Sequence, residues 1–296
     1  MTSRSIIAVI TAYKPDDAFL SRFSPLLEIC RNVIVSDNTP GGHKSFDLPT
    51  GFVVLQHLTN SGLGPALNAG ITEARRCGAT EIILFDQDST PDANFVLAMA
   101  DQLAKAQVTQ GRRCCVGPTH LDDDTGASVS QPLSRRSHVD FPASDLVSCL
   151  PTSGLIFSVD ALELVDKFSD DFFLDLVDFE WCWRLGAKGW RFFRSREVTM
   201  LHRLGIAERR MFGVTFHVPA PYRHYFQVRD ALKLFSRNYV PIYSKCRLIG
   251  ILPLKALIYP FILDRGAERL QWMLRGAYDG FRGVAGIGSA ASRLGN

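Results

Sequence analysis

The chain has 296 residues, 46% of them apolar and 21% charged, an ordinary globular composition with enough apolar content for a sizeable core. Its seven cysteines are odd in number and form no C-x-x-C pair, which argues for free thiols and against a disulfide framework or a cysteine-based zinc site. The net charge of +3 conceals an asymmetry: residues 1–183 hold 13 Lys/Arg against 24 Asp/Glu, and residues 184–296 hold 20 against 6. A basic segment this pronounced is suited to a phosphate group, a nucleic acid or a lipid surface, or serves to neutralise the acidic half.

The first 120 residues alternate between short apolar runs and helical stretches. "SIIAVITAY" reads as a strand rather than a signal peptide, because it is short and lacks a cleavage signal. Pro15 suits the first turn of a helix reaching about Cys30. "NVIVSDN" and "FVVLQHL" are further strands, followed by a helix from about Gly64 to Cys77. "EIILFD" is a fourth strand, with a helix beginning at Pro91, and "RCCVGP" a fifth. This alternation predicts a mostly parallel sheet covered on both faces, with ligands bound beyond the carboxyl ends of its strands. A dinucleotide site is rejected: in "NSGLGPALNAG" the third glycine position of G-x-G-x-x-G is Leu67.

Residues 119–145 read as an irregular excursion, and "CLPTSGLIFSVDALELV" as a strand then a helix capped by Asp160. "FFLDLVDFEWCWRLGAKGW" places Asp175, Asp178 and Glu180 ahead of a short helix ending near Gly189, and "RFFRSREVTMLHRLG" is a strand ending at His202. The remainder is expected to be helical, basic and aromatic. Within it, "RLIGILPLKALIYPFIL" (247–263) is apolar but short for a bilayer span and interrupted by Pro253, Lys255 and Pro260. It suits a membrane-surface helix or hairpin, or a core helix pair; its Arg- and Lys-rich flanks favour the surface.

The stretch "FDQDS" sets two carboxylates, Asp86 and Asp88, one residue apart at a strand end. Such close like charges repel and each loses hydration in a cleft. Either both face water in a polar turn, or a cation lies between them.

The ordered set "TAYKP", "VSDNT", "NSGLGPALNAG", "FDQDS", "TSG", "DLVDFEWCWR", "HRLG" and "YRHYFQVRD" resembles the inverting glycosyltransferases of family 2 with the GT-A fold, and within them the bacterial rhamnosyltransferases. The resemblance spans roughly residues 5–240. It implies a GT-A catalytic domain over 1–205 and a basic helical region over 206–296. It also implies a divalent cation, Mg2+ or Mn2+, held by Asp88 with Asp86 and His202, and bridging the donor diphosphate. Thr11, Tyr13 and Asp37 would hold the nucleotide base, with Asn60, Gly62 and Asn68 in the donor-side loop and Arg229 reaching the leaving diphosphate. Asp178 would be the catalytic base with Glu180 as second candidate, and Asp175 and Trp181 would lie on the acceptor side. Val177 stands where many relatives carry Glu, and Asp230 where many carry Asn.

By that resemblance the expected reaction moves L-rhamnose from dTDP-L-rhamnose to a hydroxyl of a bacterial surface polysaccharide or of a glycan carried on a polyprenyl diphosphate. The expected place is the inner face of the cell membrane, with an anionic lipid surface and a second copy of the chain as candidate partners, and no nucleic acid. The alternatives are transfer of another sugar from a UDP-sugar and a catalytically silent glycan-binding protein. A nucleotidyltransferase would carry an N-terminal glycine-rich basic loop, which the sequence lacks.

Overall fold

The computed structural model describes residues 4–42, 49–123, 126–129, 136–141, 143–162, 166–202, 207–211 and 214–291. Strand β1 (Ile6–Ala12) is followed by a short helix α1 (Phe19–Phe23), which passes into a 3-10 turn at Ser24–Glu28 rather than continuing as one helix to Cys30. Then come β2 (Asn32–Asp37), β3 (Phe52–Gln56), α2 (Leu63–Arg76), β4 (Glu81–Asp86) and α3 (Ala93–Gln110). Pro91 precedes α3 instead of opening it; Asp92 caps it by accepting the N–H of Phe95 at 2.7 Å.

The central sheet continues through β5 (Cys114–Asp122), β6 (Arg136–Phe141), β7 (Ser144–Val147) and β8 (Ile156–Ser158), and after α4 (Val177–Ala187) through β9 (Arg191–His202). Its order is β3-β2-β1-β4-β8-β5-β9-β7-β6. Strands β1 to β4 are parallel, as the alternation predicts, and β5 is parallel to β9, whereas β8 runs antiparallel between β4 and β5. Part of 119–145, expected to be irregular, forms the antiparallel β6–β7 pair. Asp160 does not cap a helix: a 3-10 turn at Val159–Ala161 follows β8, and Asp160 pairs with Arg112.

Successive residues of β1 point to opposite faces, and each face has its own core. Ala8 and Ile10 pack with Phe19, Phe23, Val96 and Met99 on the α1–α3 side. Ile7 and Val9 pack with Leu67, Ile71 and Trp181 on the α2–α4 side. A fully buried β1 therefore shows a continuous apolar run rather than alternation.

Residues after β9 are not wholly helical. An antiparallel hairpin, β10 (Ala207–Met211) and β11 (Val214–Val218), precedes α5 (Arg223–Phe235), α6 (Ile242–Ile262) and α7 (Gly266–Phe281). Gly276 lets α7 approach α5 closely, because a Cβ there would collide with the Tyr225 carbonyl. Among the described residues, no helix is long and apolar enough to cross a membrane.

Candidate active site

The parallel register brings polar strand ends into one row. Thr11 on β1 lies beside Ser36 on β2 and Asp86 on β4, and Ala12 lies beside Asp37. Asp37 is buried, and its Oδ1 accepts the Thr39 N–H at 2.9 Å. Tyr13, at the exit of β1, is half-buried, and its N–H is held by Gln87 Oε1 at 2.7 Å.

Next to this row stands the acidic turn. Asp86 is half-buried and Asp88 exposed, and the turn closes through the Ser89 N–H to the Asp86 carbonyl at 3.0 Å. Ser89 Oγ and Ser153 Oγ are 2.8 Å or less apart, at 2.7 Å, which ties the turn to the "TSG" loop at 152–154. Burial, then the charges of Asp88 and Asp178, pushes the Asp86 carboxyl up to about 7. Asp178 is therefore near enough for its charge to act on Asp86, although it comes from the first turn of α4.

Leu176, in the left-handed region at φ 64°, turns the chain into α4 and leaves Asp178 at its start. The Asp178 carboxylate accepts the N–H of Phe179 at 2.9 Å. Burial nevertheless raises it to about 6, with the Asp175 charge adding to the rise. Asp175 in turn is held by Arg223 at 2.6 Å, at the start of α5.

The loop before α2 is locked to this acidic segment. Asn60 Oδ1 accepts the Gly62 N–H at 3.1 Å, and buried Asn38 donates to the Gly62 carbonyl at 2.8 Å. Gly62 has φ 93°, and a Cβ there would lie 2.8 Å from the Phe173 carbonyl oxygen. The Leu63 N–H donates to that same oxygen at 2.7 Å. Glycine is thus required both by backbone angle and by close approach.

Four of the expected site residues have their side chains engaged within the protein. The amide of Asn68 is consumed by the backbone of Phe168, giving and accepting at 2.9 Å, so it tethers that segment rather than facing a donor. Glu180 is buried and held by Arg184 at 2.7 Å and by the Tyr239 hydroxyl at 2.7 Å; its lone pairs serve a structural ion pair and not proton abstraction. Trp181 is fully buried, stacks on Phe168 with ring centroids 4.5 Å apart and donates to the Asp166 carbonyl, so it is core rather than an acceptor platform. Arg229 is also fully buried, paired with Asp230 at 2.7 Å and bonded to the Gly286 carbonyl, and cannot reach a leaving group without breaking that lock. His202 ends β9 opposite Asp122, and its side chain lies outside the described residues.

Asn38, Gln87, Ser153 and Arg223 were not among the expected site residues, yet they orient the strand-end row, the acidic turn and Asp175. Gln87 carried a signal in its place between two carboxylates just past the end of β4.

A divalent cation fits the acidic turn. Two oxygen donors are what Mg2+ or Mn2+ takes from a protein when water and phosphate complete its shell, and a cation would favour the ionised form of Asp86, which burial and then the neighbouring carboxylates hold back. Among the described residues no group of three or more His, Cys, Asp or Glu gathers as a ready-made cage, so the remaining ligands would come from elsewhere.

The chain is 25% identical to the dTDP-rhamnosyl transferase RfbF of Shigella flexneri over 299 residues, covering 96% of this chain and 98% of that protein. Its fold matches GalNAc-T7 solved with UDP, GalNAc and Mn2+, at a TM-score of 0.53 and 10% identity. That match covers 98% of this chain, which spans 58% of the length of GalNAc-T7. It likewise matches S. aureus TarS 1–349 in complex with UDP-GlcNAc, at a TM-score of 0.53 and 12% identity over 95% of this chain and 81% of that one. The chain has the GT-A fold, and its similarity over nearly its full length to a rhamnosyl transferase supports a glycosyltransferase. The sequence matches no protein-family model. In this chain the strand-end row from Thr11 to Asp37 and the acidic turn lie at the carboxyl ends of β1, β2 and β4, where ligands of α/β sheets bind, and the start of α4 is near enough for Asp178 to act on Asp86.

Proposed function

We propose that the protein transfers L-rhamnose from dTDP-L-rhamnose to a hydroxyl of a bacterial surface polysaccharide or lipid-linked glycan, inverting the anomeric carbon. The observation that carries this reading is the electrostatic grouping of Asp86, Asp88 and Asp178, contributed by a strand end and a helix start far apart in sequence. The full-length relationship to a protein named for dTDP-rhamnosyl transfer supports the choice of sugar and nucleotide.

Thr11, Tyr13 and Asp37 bind the base, with Asp37 accepting the imide N–H that thymine presents. Asn60 and Gly62 shape the donor-side loop. Asp88 and Asp86 hold Mg2+ or Mn2+, which when bound supplies positive charge to the leaving diphosphate. The acceptor oxygen attacks the anomeric carbon as the bond to the diphosphate oxygen breaks, and dTDP departs with that electron pair. Asp178 takes the hydroxyl proton, a contribution of roughly 10²–10⁴-fold for a positioned base. A carboxyl poised near 6 is ionised at neutral pH yet basic enough to share a proton in the transition state. Asp175, kept in place by Arg223, stands beside it on the acceptor side. A single displacement needs no enzyme nucleophile.

In this reading residues 1–205 are the catalytic unit, and 206–296 face the acceptor at the inner side of the cell membrane, where a polyprenyl diphosphate carrier would present it. The test is a donor panel: the protein is incubated with Mg2+ or Mn2+ and individual nucleotide sugars, and nucleoside diphosphate release is measured. Release from dTDP-L-rhamnose above the UDP-sugars is expected; release from a UDP-sugar alone overturns the choice of donor.

A further inference from the structure

Helix α6 is two-sided. Ser244 and Leu248 are buried, and Leu252 packs against the α2–α4 core, so this stripe is bound to the protein rather than free, including Leu248 from the apolar segment read in the sequence. The opposite stripe is bare: Leu254, Leu257 and Phe261 are 55%, 69% and 87% exposed. Helix α7 has the same character. Trp272, Met273 and Gly276 face inward, while Leu274, Tyr278 and Phe281, spaced as one helical stripe, are 63%, 62% and 81% exposed. Helices α5, α6 and α7 each contact the other two. An outward apolar stripe on each of two neighbouring helices exceeds the scattered exposed residues of an ordinary surface.

The charges around these stripes select what covers them. Residues 242–282 contain seven Lys/Arg and three Asp/Glu. All three acids are engaged: Asp264 by Arg269, Glu268 by Arg265, and Asp279 by Tyr225 and Ser289. Among the described residues, Arg247, Arg275 and Arg282 have no carboxylate partner and lie against aromatic rings instead. Arg247 donates to the Tyr243 hydroxyl at 3.3 Å, the Arg275 guanidinium lies 5.0 Å from the Trp272 ring centre, and Arg282 donates to the Tyr278 hydroxyl at 3.0 Å. A second copy placed on this face would set cation against cation. An anionic bilayer accepts the apolar side chains into its acyl boundary and the guanidinium groups among its phosphates.

We propose that α6 and α7 together form a docking surface for an anionic lipid bilayer, with α7 contributing as much as the more conspicuous α6. The inference deepens the proposed membrane-side reaction and rests on it for its purpose, though its observations are independent of the sugar transferred.

The test is co-sedimentation of the full chain with vesicles of phosphatidylcholine alone or mixed with phosphatidylglycerol, together with analytical ultracentrifugation without lipid. Wild type should bind the anionic vesicles at low salt, more weakly at high salt, and little to the neutral ones. Phe281→Ser with Leu274→Ser should weaken binding about ten-fold or more, since each buried side chain is worth about that factor. Arg275→Gln with Arg282→Gln should weaken only the anionic arm. Nucleotide release from the donor in the absence of lipid should be unchanged in all variants, which separates failure here from failure of the proposed reaction. No binding of wild type to anionic vesicles, or equal binding by the α7 variants, overturns the proposal. A lipid-free dimer that Phe281→Ser with Leu274→Ser dissolves overturns it in favour of a subunit interface.

Discussion

Gln87 sits between Asp86 and Asp88, yet its side chain turns away from both and accepts the backbone N–H of Tyr13 at 2.7 Å. Its own carbonyl accepts from Arg22 at 3.1 Å, so the residue joins the end of β1 to the acidic turn. Losing the side-chain acceptor leaves a part-buried N–H unpaired, a cost of about 1–3 kcal/mol. Gln87→Ala should therefore raise the donor KM about ten-fold while leaving the acceptor KM near wild type, as steady-state kinetics with each substrate varied would show.

Asp178 and Glu180 are two residues apart and behave as opposites. Asp178→Asn keeps the acceptor for the Phe179 N–H but removes the base, so transfer should fall by roughly 10²–10⁴-fold with nucleotide binding retained. Glu180→Gln should instead lower the melting temperature, because it leaves Arg184 without its carboxylate. A dead but stable Glu180→Gln beside an active Asp178→Asn would exchange the two roles.

The pH profile follows from the same carboxylate. With Asp178 raised to about 6 by burial, kcat/KM should fall as pH drops through that region and below. A bound cation nearby would move this limb lower, never higher, since positive charge favours the ionised form. A limb that moves up with metal, measured across Mg2+ concentrations, contradicts the assignment.

Metal-free stability has a definite sign. Asp86 titrates near 7 when folded and near 3.8 as an ordinary carboxyl, so between those values the folded protein binds the extra proton. Its contribution is favourable at low pH and is lost as pH rises through 7. Asp86→Asn should thus melt at a higher temperature than wild type at pH 8 without metal, with no such gain at pH 4. Mn2+ should raise the wild-type melting temperature more at pH 8 than at pH 5 and barely affect Asp86→Asn. Calorimetry with and without chelator checks both.

Arg229 tests lock against ligand. Truncating one member of a buried ion pair costs about 3–5 kcal/mol because the other charge is stranded. Arg229→Leu should be strongly destabilised, and Arg229→Leu with Asp230→Leu should recover much of the loss, both read as denaturant midpoints. A stable Arg229→Leu whose only defect is donor KM would return the residue to the diphosphate.

The sequence made the N-terminal layer legible because apolar β-branched runs and glycine-rich breaks have local causes. It also placed Asp86 and Asp88 at a strand end and Asp178 at a helix start, where they stand. It did not separate Arg223 from Arg229. Six residues apart on one helix, these lie about 120° apart around its axis, and which side meets Asp175 depends on how α5 packs. The bonds of Asn68 and Trp181 were illegible for a related reason: their partners, Phe168 and Asp166, lie outside the longer regular elements, where no periodicity announces a position. The strand read in "CLPTSGLIFSVDALELV" is β8, but its antiparallel place in the sheet is set by long-range pairing alone.

That insertion of β8 between β4 and β5 bears on how the protein is made. On the ribosome, β1 to β4 and their helices emerge first, but the outer edge of β4 has no mate until residues 156–158 have been synthesised. For that interval the nascent chain carries an open, apolar strand edge, a template for pairing with a neighbouring chain. Fragments ending before Ile156 should accordingly need a chaperone to stay in solution, while those extending past Ser158 need it less. The antiparallel strand works as a late-arriving seal.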